Sequence, residues 1–163
     1  MGGDHYALCY HPCAMKLRRS KLYPTPDDAS NAFYDAFERA DLQAMMAVWA
    51  ESDQVVCVHP QGPRLVGFDA VRDSWAQIFA SGARMRVVTT DACTFAGQSI
   101  AVHTVVEMVS AQGANQDPTP ICATNVFELT EGGWRLVIHH ASPMMIPDAR
   151  TEEEKPAKAH VLH

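Results

Sequence analysis

The residues able to do chemistry stand mostly at the ends of apolar runs or inside them. His59 closes the run Val55, Val56, Cys57, Val58 and is followed at once by Pro60 and a turn, Gln61-Gly62-Pro63. A histidine ending a hydrophobic strand sits where a pocket mouth can form. An imidazole titrates near neutral pH, so His59 is a candidate general base. It can equally be a neutral hydrogen-bonding wall residue or a strand end near solvent. Asn125 interrupts an apolar strand face made of Ile121, Ala123, Phe127 and Leu129. A buried amide left unpaired costs about 1–3 kcal/mol, so Asn125 faces either a structural partner or a ligand or water in a pocket. His140 shares a face with Trp134, Leu136 and Ile138, as a core residue or a pocket ligand. His139 then points the other way, toward a dimer face. His103 and Glu107 lie on one face of a third strand but too far apart to touch. They can line a pocket, pair across a dimer interface or form an outer polar patch.

Other groups lead less far. The run Cys9-Tyr10-His11-Pro12-Cys13 lacks further ligands at a zinc-like spacing, and His59, His103 and His140 offer no local pair on one helix face. The expectation is a protein with no metal site and no cofactor. Cys57, Cys93 and Cys122 fall in strand-like apolar runs, where a thiol behaves as a small buried hydrophobe. Reduced thiols point to a cytoplasmic setting. A net charge of -6 argues against a nucleic-acid partner. No apolar run approaches the ~20 residues needed to span a bilayer.

The elements that must position these residues are legible from period and punctuation. Thr25-Pro26-Asp27-Asp28 starts a helix: Thr25 caps it, Pro26 takes the first position and Asp28 reaches back as a capping box. Ala29, Ala32, Phe33, Ala36, Phe37 and Ala40 then recur at three and four. Asp41 caps a second helix carrying Leu42, Met45, Met46 and Trp49. After the strand ending at His59 comes a short extended piece, Arg64 to Val66, and Gly67 opens a third helix with the stripe Phe68, Val71, Trp75, Ile78 and Phe79. Phe33, Phe37, Trp49 and Trp75 read as core or pocket lining. Arg64 and Arg72 can hold an anion at the pocket mouth or form surface ion pairs. From Ala83 the period changes to two, and four long strands follow, the second (Ile100 to Ser110) apolar on both faces. Helices followed by antiparallel strands indicate an α+β domain, with helices on one sheet face and a second subunit expected on the other. The expected organisation is a flexible extension over 1–24, with Met15 as an alternative start, a domain over 25–147 and a flexible tail over 148–163. The first residues lack the apolar core of a signal peptide.

Three segments carry a resemblance to a known superfamily: Ala40 to Ala50 (ADLQAMMAVWA), Gly62 to Gly67 (GPRLVG) with the helix after it, and Gly133 to Ser142 (GWRLVIHHAS). The chain resembles the nuclear transport factor 2-like superfamily, and within it the SnoaL-like bacterial proteins, over about Pro26 to Pro147. The resemblance implies a cone-shaped α+β fold, three N-terminal helices packed on a curved, mostly antiparallel sheet, enclosing a pocket and usually forming a homodimer. Its members include isomerases, cyclases, dehydratases and non-enzymatic association domains, so the fold alone does not choose among them. In the ketosteroid isomerase branch an aspartate base precedes the proline where His59 stands here. A tyrosine of that branch's first helix falls on Phe33, with Tyr34 pointing elsewhere by the helical period. The isomerase activity is therefore not carried over. The expected function is binding of a small apolar or carbonyl-containing molecule in an apolar pocket. Phe33, Trp49, Trp75, His103, Asn125 and His140 would line it. The alternatives are an acid–base enzyme of isomerase, cyclase or dehydratase type using His59, and a dimerisation or association module.

Overall fold

The computed structural model describes residues 22–113, 115 and 117–145. The alternative start at Met15, the Cys9–Cys13 run and the 148–163 tail lie outside them. Helix α1 (Pro26–Arg39) begins with the expected capping box. Thr25 Oγ1 accepts from the Asp28 amide at 3.1 Å, and Asp28 Oδ2 accepts from the Thr25 amide at 3.1 Å. Two of the helix's unpaired N-terminal groups are thereby satisfied locally. Ala40, left-handed at φ 51°, ends α1, and Asp41 caps α2 (Leu42–Val48) by accepting from the Ala44 amide at 2.9 Å.

Strands β1 (Val56–Val58) and β2 (Arg64–Val66) form a short antiparallel hairpin, so the extended piece before Gly67 is a strand. Helix α3 (Phe68–Ala80) follows. The remaining strands, β3 (Met85–Ala96), β4 (Ile100–Ala111), β5 (Thr119–Thr130) and β6 (Gly133–Pro143), make an antiparallel meander. β1 joins it in parallel along β6, giving the sheet order β2-β1-β6-β5-β4-β3. The result is the expected α+β architecture, three helices against one face of a mostly antiparallel sheet. Phe33 and Ala36 of α1, Met45 and Val48 of α2 and Val71 and Trp75 of α3 meet the inner sheet face in one core.

One irregularity decides what the last strand presents. Val126 pairs with Ile138, but Phe127 pairs with Leu136, so Val137 is an extra residue in β6. A bulge of this kind shifts the alternation by one position. Before it, Trp134 and Leu136 are buried; after it, His139 and Ala141 are buried, while Ile138 and His140 are exposed. The expectation from strict alternation is therefore corrected: His140 lies on the outer face and His139 on the inner one. Two cysteines are corrected as well. Cys57 is buried, but Cys93 and Cys122 are exposed, because the described residues place no layer over the outer face of β3 to β5.

The start of the described chain is fastened to this last strand. The Trp134 amide donates to the Tyr23 carbonyl at 2.9 Å. Gly133 sits at φ 88°, and a Cβ there would lie 2.6 Å from the same carbonyl oxygen. Gly133→Ala should therefore destabilise the fold by about 1–3 kcal/mol, from strain at a positive φ and loss of this backbone contact. Chemical denaturation reads the effect, and an unchanged midpoint would show that the contact does not contribute.

Candidate functional site

A cavity of about 370 Å³ opens between α3 and the inner face of the sheet. Its apolar walls are Phe37 from α1, Trp75 and Ile78 from α3, and Val109, Ile121 and Ala141 from the sheet. Its polar wall residues are His59, Glu107, Ser110, Asp117, Thr119 and His139.

Behind the cavity wall runs a one-way chain of hydrogen bonds. The Asn125 amide nitrogen donates to the Tyr34 hydroxyl at 2.9 Å. The Tyr34 hydroxyl in turn donates to Glu107 Oε1 at 2.9 Å. The Asn125 amide oxygen lies 2.7 Å from His139 Nδ1. That oxygen can only accept, so Nδ1 carries the proton and Nε2 keeps a lone pair. The chain reads His139 to Asn125 to Tyr34 to Glu107, and its two end residues both line the cavity. The sheet supplies most of this alignment, since Asn125 is paired with His103 on one side and His139 on the other. Tyr34 reaches it from α1, its ring against Val105, Ile121, Ala123 and Ala141. Small residues at 123 and 141 leave room for that ring.

Burial sets the electrostatics. Glu107, only 4% exposed, has its carboxyl pushed up to about 7, chiefly by desolvation and partly offset by the Tyr34 hydrogen bond. Near neutral pH it exchanges a proton readily, and the proton belongs on Oε2 because Oε1 already accepts from Tyr34. His139 is pushed down to about 3, by burial first and then by His59 and His140, so it is a neutral acceptor. Burial raises the Tyr34 phenol, with the Glu107 carboxylate adding to it, which keeps the hydroxyl protonated as a donor. His59 is lowered by burial; its Nε2 lies 2.7 Å from Ser74 Oγ, and its ring stands edge-on to Trp75 at 4.8 Å. The Cys57 thiol lies 3.6 Å from the same nitrogen and is raised to about 12 by burial, so it stays an unreactive thiol.

The expected site residues divide. His59 and Trp75 line the cavity. Phe33 stands behind it, edge-on to Trp75 and 5.1 Å from the His139 ring. Asn125 is fully buried and acts through Tyr34 and His139 rather than as a wall. Trp49 belongs to the core and His140 to the outer face, and neither reaches the cavity. His103 and Glu107 do share a face, and it is the inner one, which removes the outer-patch reading. They nonetheless part company: Glu107 lines the cavity, whereas His103 lies against Phe127 at 5.0 Å and approaches Asp27 only to 3.7 Å. Arg72 is taken up by Asp69 and Asp73 on the helix surface.

Tyr34 and His139 were not legible as site residues. For Tyr34 a signal existed: Ser30, Tyr34 and Phe37 recur at four and three beside the main stripe, a helix face wide enough to meet both the core and the sheet. For His139 no sequence signal existed, since its direction depends on the bulge at Val137.

The helices, the curled meander and an apolar cavity with a few inward polar groups define a domain of the NTF2-like class. The chain belongs to the SnoaL-like domain family, which matches residues 27–147. A Thiobacillus denitrificans structure, named for the association domain of calcium/calmodulin-dependent protein kinase type II, is similar at 38% identity. It has a TM-score of 0.72 and covers 77% of this chain and 99% of its own. A Streptomyces avermitilis structure from the NTF2-like family, named as a dehydratase, is similar at 32% identity. Its TM-score is 0.66, over 75% of this chain and 100% of its own. The F-box protein SKIP8 of Arabidopsis thaliana is 32% identical over 124 residues, 71% of this chain and 48% of its own length. The chain thus spans about half of that curated relative. Among the described residues no helix is long and apolar enough to cross a membrane.

The carboxyl of Glu107 makes a test of this geometry. Its value of about 7 lies above its ordinary 4.5. Its contribution to stability is therefore fully present below about 4.5 and lost as pH rises through about 7, by up to roughly 3 kcal/mol. Glu107→Gln keeps the Tyr34 bond but cannot ionise. Its stability relative to the parent should climb across that window and then level off, measured by denaturation at a series of pH values. A flat difference would contradict a buried, proton-binding Glu107.

Proposed function

We propose that the domain binds a small, mostly apolar molecule in this cavity and exchanges a proton with it through Glu107. The observation that carries the reading is the polarised chain ending on a buried carboxyl poised near neutrality and facing an apolar cavity. A general acid or base works best when its pKa lies near the working pH. The environment here holds a carboxyl at that point by burial and tempers it with one donor. In this reading Tyr34 and Asn125 are positioning residues: they hold Oε1 and direct the proton to the cavity side. His59, neutral and on the cavity wall, is the second proton acceptor, and Trp75 and Phe37 are the apolar walls. A dehydratase is named among the similar structures, and acid–base chemistry of that broad type fits the same groups.

Calorimetry in two buffers of different ionisation enthalpy tests the reading with any small apolar compound that raises the melting temperature. Near pH 7 the apparent binding enthalpy should differ between buffers for the parent and coincide for Glu107→Gln. Ala141→Phe, which fills the cavity, should abolish binding. Binding that survives Ala141→Phe, or proton exchange that survives Glu107→Gln, would sink it.

A second reading rests on the outer sheet face. Phe95, Val102, Val126, Ile138 and Val56 are paired in register across five strands, an apolar row with Phe95 70% and Ile138 37% exposed. An apolar row on a sheet face that the described residues leave uncovered fits a second copy of this chain. An association domain is named among the similar structures. We infer a homodimer through this face, compatible with the cavity reading because the two use opposite sides of the sheet. Light scattering should give twice the monomer mass for the parent and the monomer mass for Val102→Glu; a monomeric parent at high micromolar concentration would overturn it.

A further inference from the structure

The ionisable groups on the cavity wall are His59, Glu107, Asp117 and His139. No lysine or arginine stands among the described wall residues, so nothing there matches a carboxylate or phosphate group on a ligand. Beside the Ser110 and Thr119 hydroxyls, the buried polar atoms of the wall are acceptors once Glu107 is ionised. Glu107 Oε2 has no hydrogen-bond partner within the described residues, while its sister oxygen is held by Tyr34. His139 Nε2 keeps its lone pair, because Nδ1 is the protonated nitrogen facing Asn125. Both side chains are more than nine-tenths buried, Glu107 at 4% and His139 at 3% exposure. The Trp75 indole N–H, the obvious wall donor, is buried and has no hydrogen-bond partner among the described residues. Aromatic faces complete the wall, with Trp75 and Phe37 at 5.2 Å from each other.

A cavity of acceptors, carboxyls and aromatic rings selects for positive charge with N–H donors. An ammonium group donates to a carboxylate or to an imidazole lone pair and is attracted to ring faces. An anion would meet Glu107 and Asp117 with no compensating cation. We infer that the molecule taken by this cavity is a small hydrophobic amine, bound in its protonated form. Its nitrogen lies against Glu107 and its apolar body against Trp75 and Phe37. The inference rests on the binding reading above and names its ligand class.

Four probes of eight carbons separate the possibilities: 2-phenylethylamine, 2-phenylethanol, acetophenone and phenylacetate, each titrated at pH 7.5 against the full chain. Dissociation constants come from the ligand dependence of the melting temperature. The amine should bind roughly tenfold tighter than the alcohol, the size that one charge-assisted hydrogen bond with a cation–π contact supplies. Phenylacetate should bind weakest. Glu107→Gln should remove the amine's advantage, bringing its dissociation constant to within about twofold of the alcohol's. Thr119→Lys places a cation at an exposed position on the cavity rim. It should weaken the amine and admit phenylacetate, and it keeps the test valid should the buried variant fold poorly. Equal affinity for amine and alcohol, or tighter binding of acetophenone or phenylacetate, overturns the amine inference while leaving the cavity reading standing. No response to any of the four overturns both.

Discussion

The Tyr34 hydroxyl is the point on which the inner half of this structure depends. It accepts from Asn125 and donates to Glu107, and so joins two side chains that stand on neighbouring strands. Asn125 is fully buried where water cannot replace a lost bond, so leaving its amide unpaired would cost about 1–3 kcal/mol. The requirement fixes the rotation of α1 over the sheet. Phe33, one residue earlier, then has to turn into the core against Trp75, and the width of the helix face follows from serving both duties.

The same arrangement couples stability to chemistry. A sheet whose inner face was wholly apolar would pack α1 as well and would need no buried carboxyl. Glu107 is retained against a desolvation cost that pushes its proton affinity up. His139, at the other end of the chain, is held neutral by the same burial. Directionality matters as much as proximity here. Because the Asn125 amide has one donor side and one acceptor side, it sets the His139 tautomer and the Tyr34 proton direction together. The cavity therefore meets a His139 nitrogen with a defined lone pair and a Glu107 oxygen, Oε2, that carries the proton whenever the carboxyl is neutral.

The outer face of the sheet obeys a simpler constraint. Its apolar row lies opposite the cavity and is free of the polar bookkeeping that organises the inner face. The two surfaces are kept apart by the strand period itself, so substitution on one need not disturb the other. The bulge in β6 is the exception: one extra residue exchanges the two faces for the rest of that strand.

What the sequence by itself determined was everything set by local rules. The capping box at Thr25, the second cap at Asp41, the three helical stripes and the four strands stand where period and punctuation put them. So does the buried Asn125, since its burial depends on one strand's alternation; for His59 the sequence marked the strand end, and the fold put it on the cavity wall. The tertiary structure alone decided which polar groups meet. Tyr34 joins Glu107 across 73 residues of chain, and no spacing encodes that contact. His139 and His140 exchanged faces because a bulge is a feature of pairing between two strands, and alternation within one strand carries no trace of it. Proton affinity follows burial, and burial of Glu107 exists only once α1 has closed over the sheet.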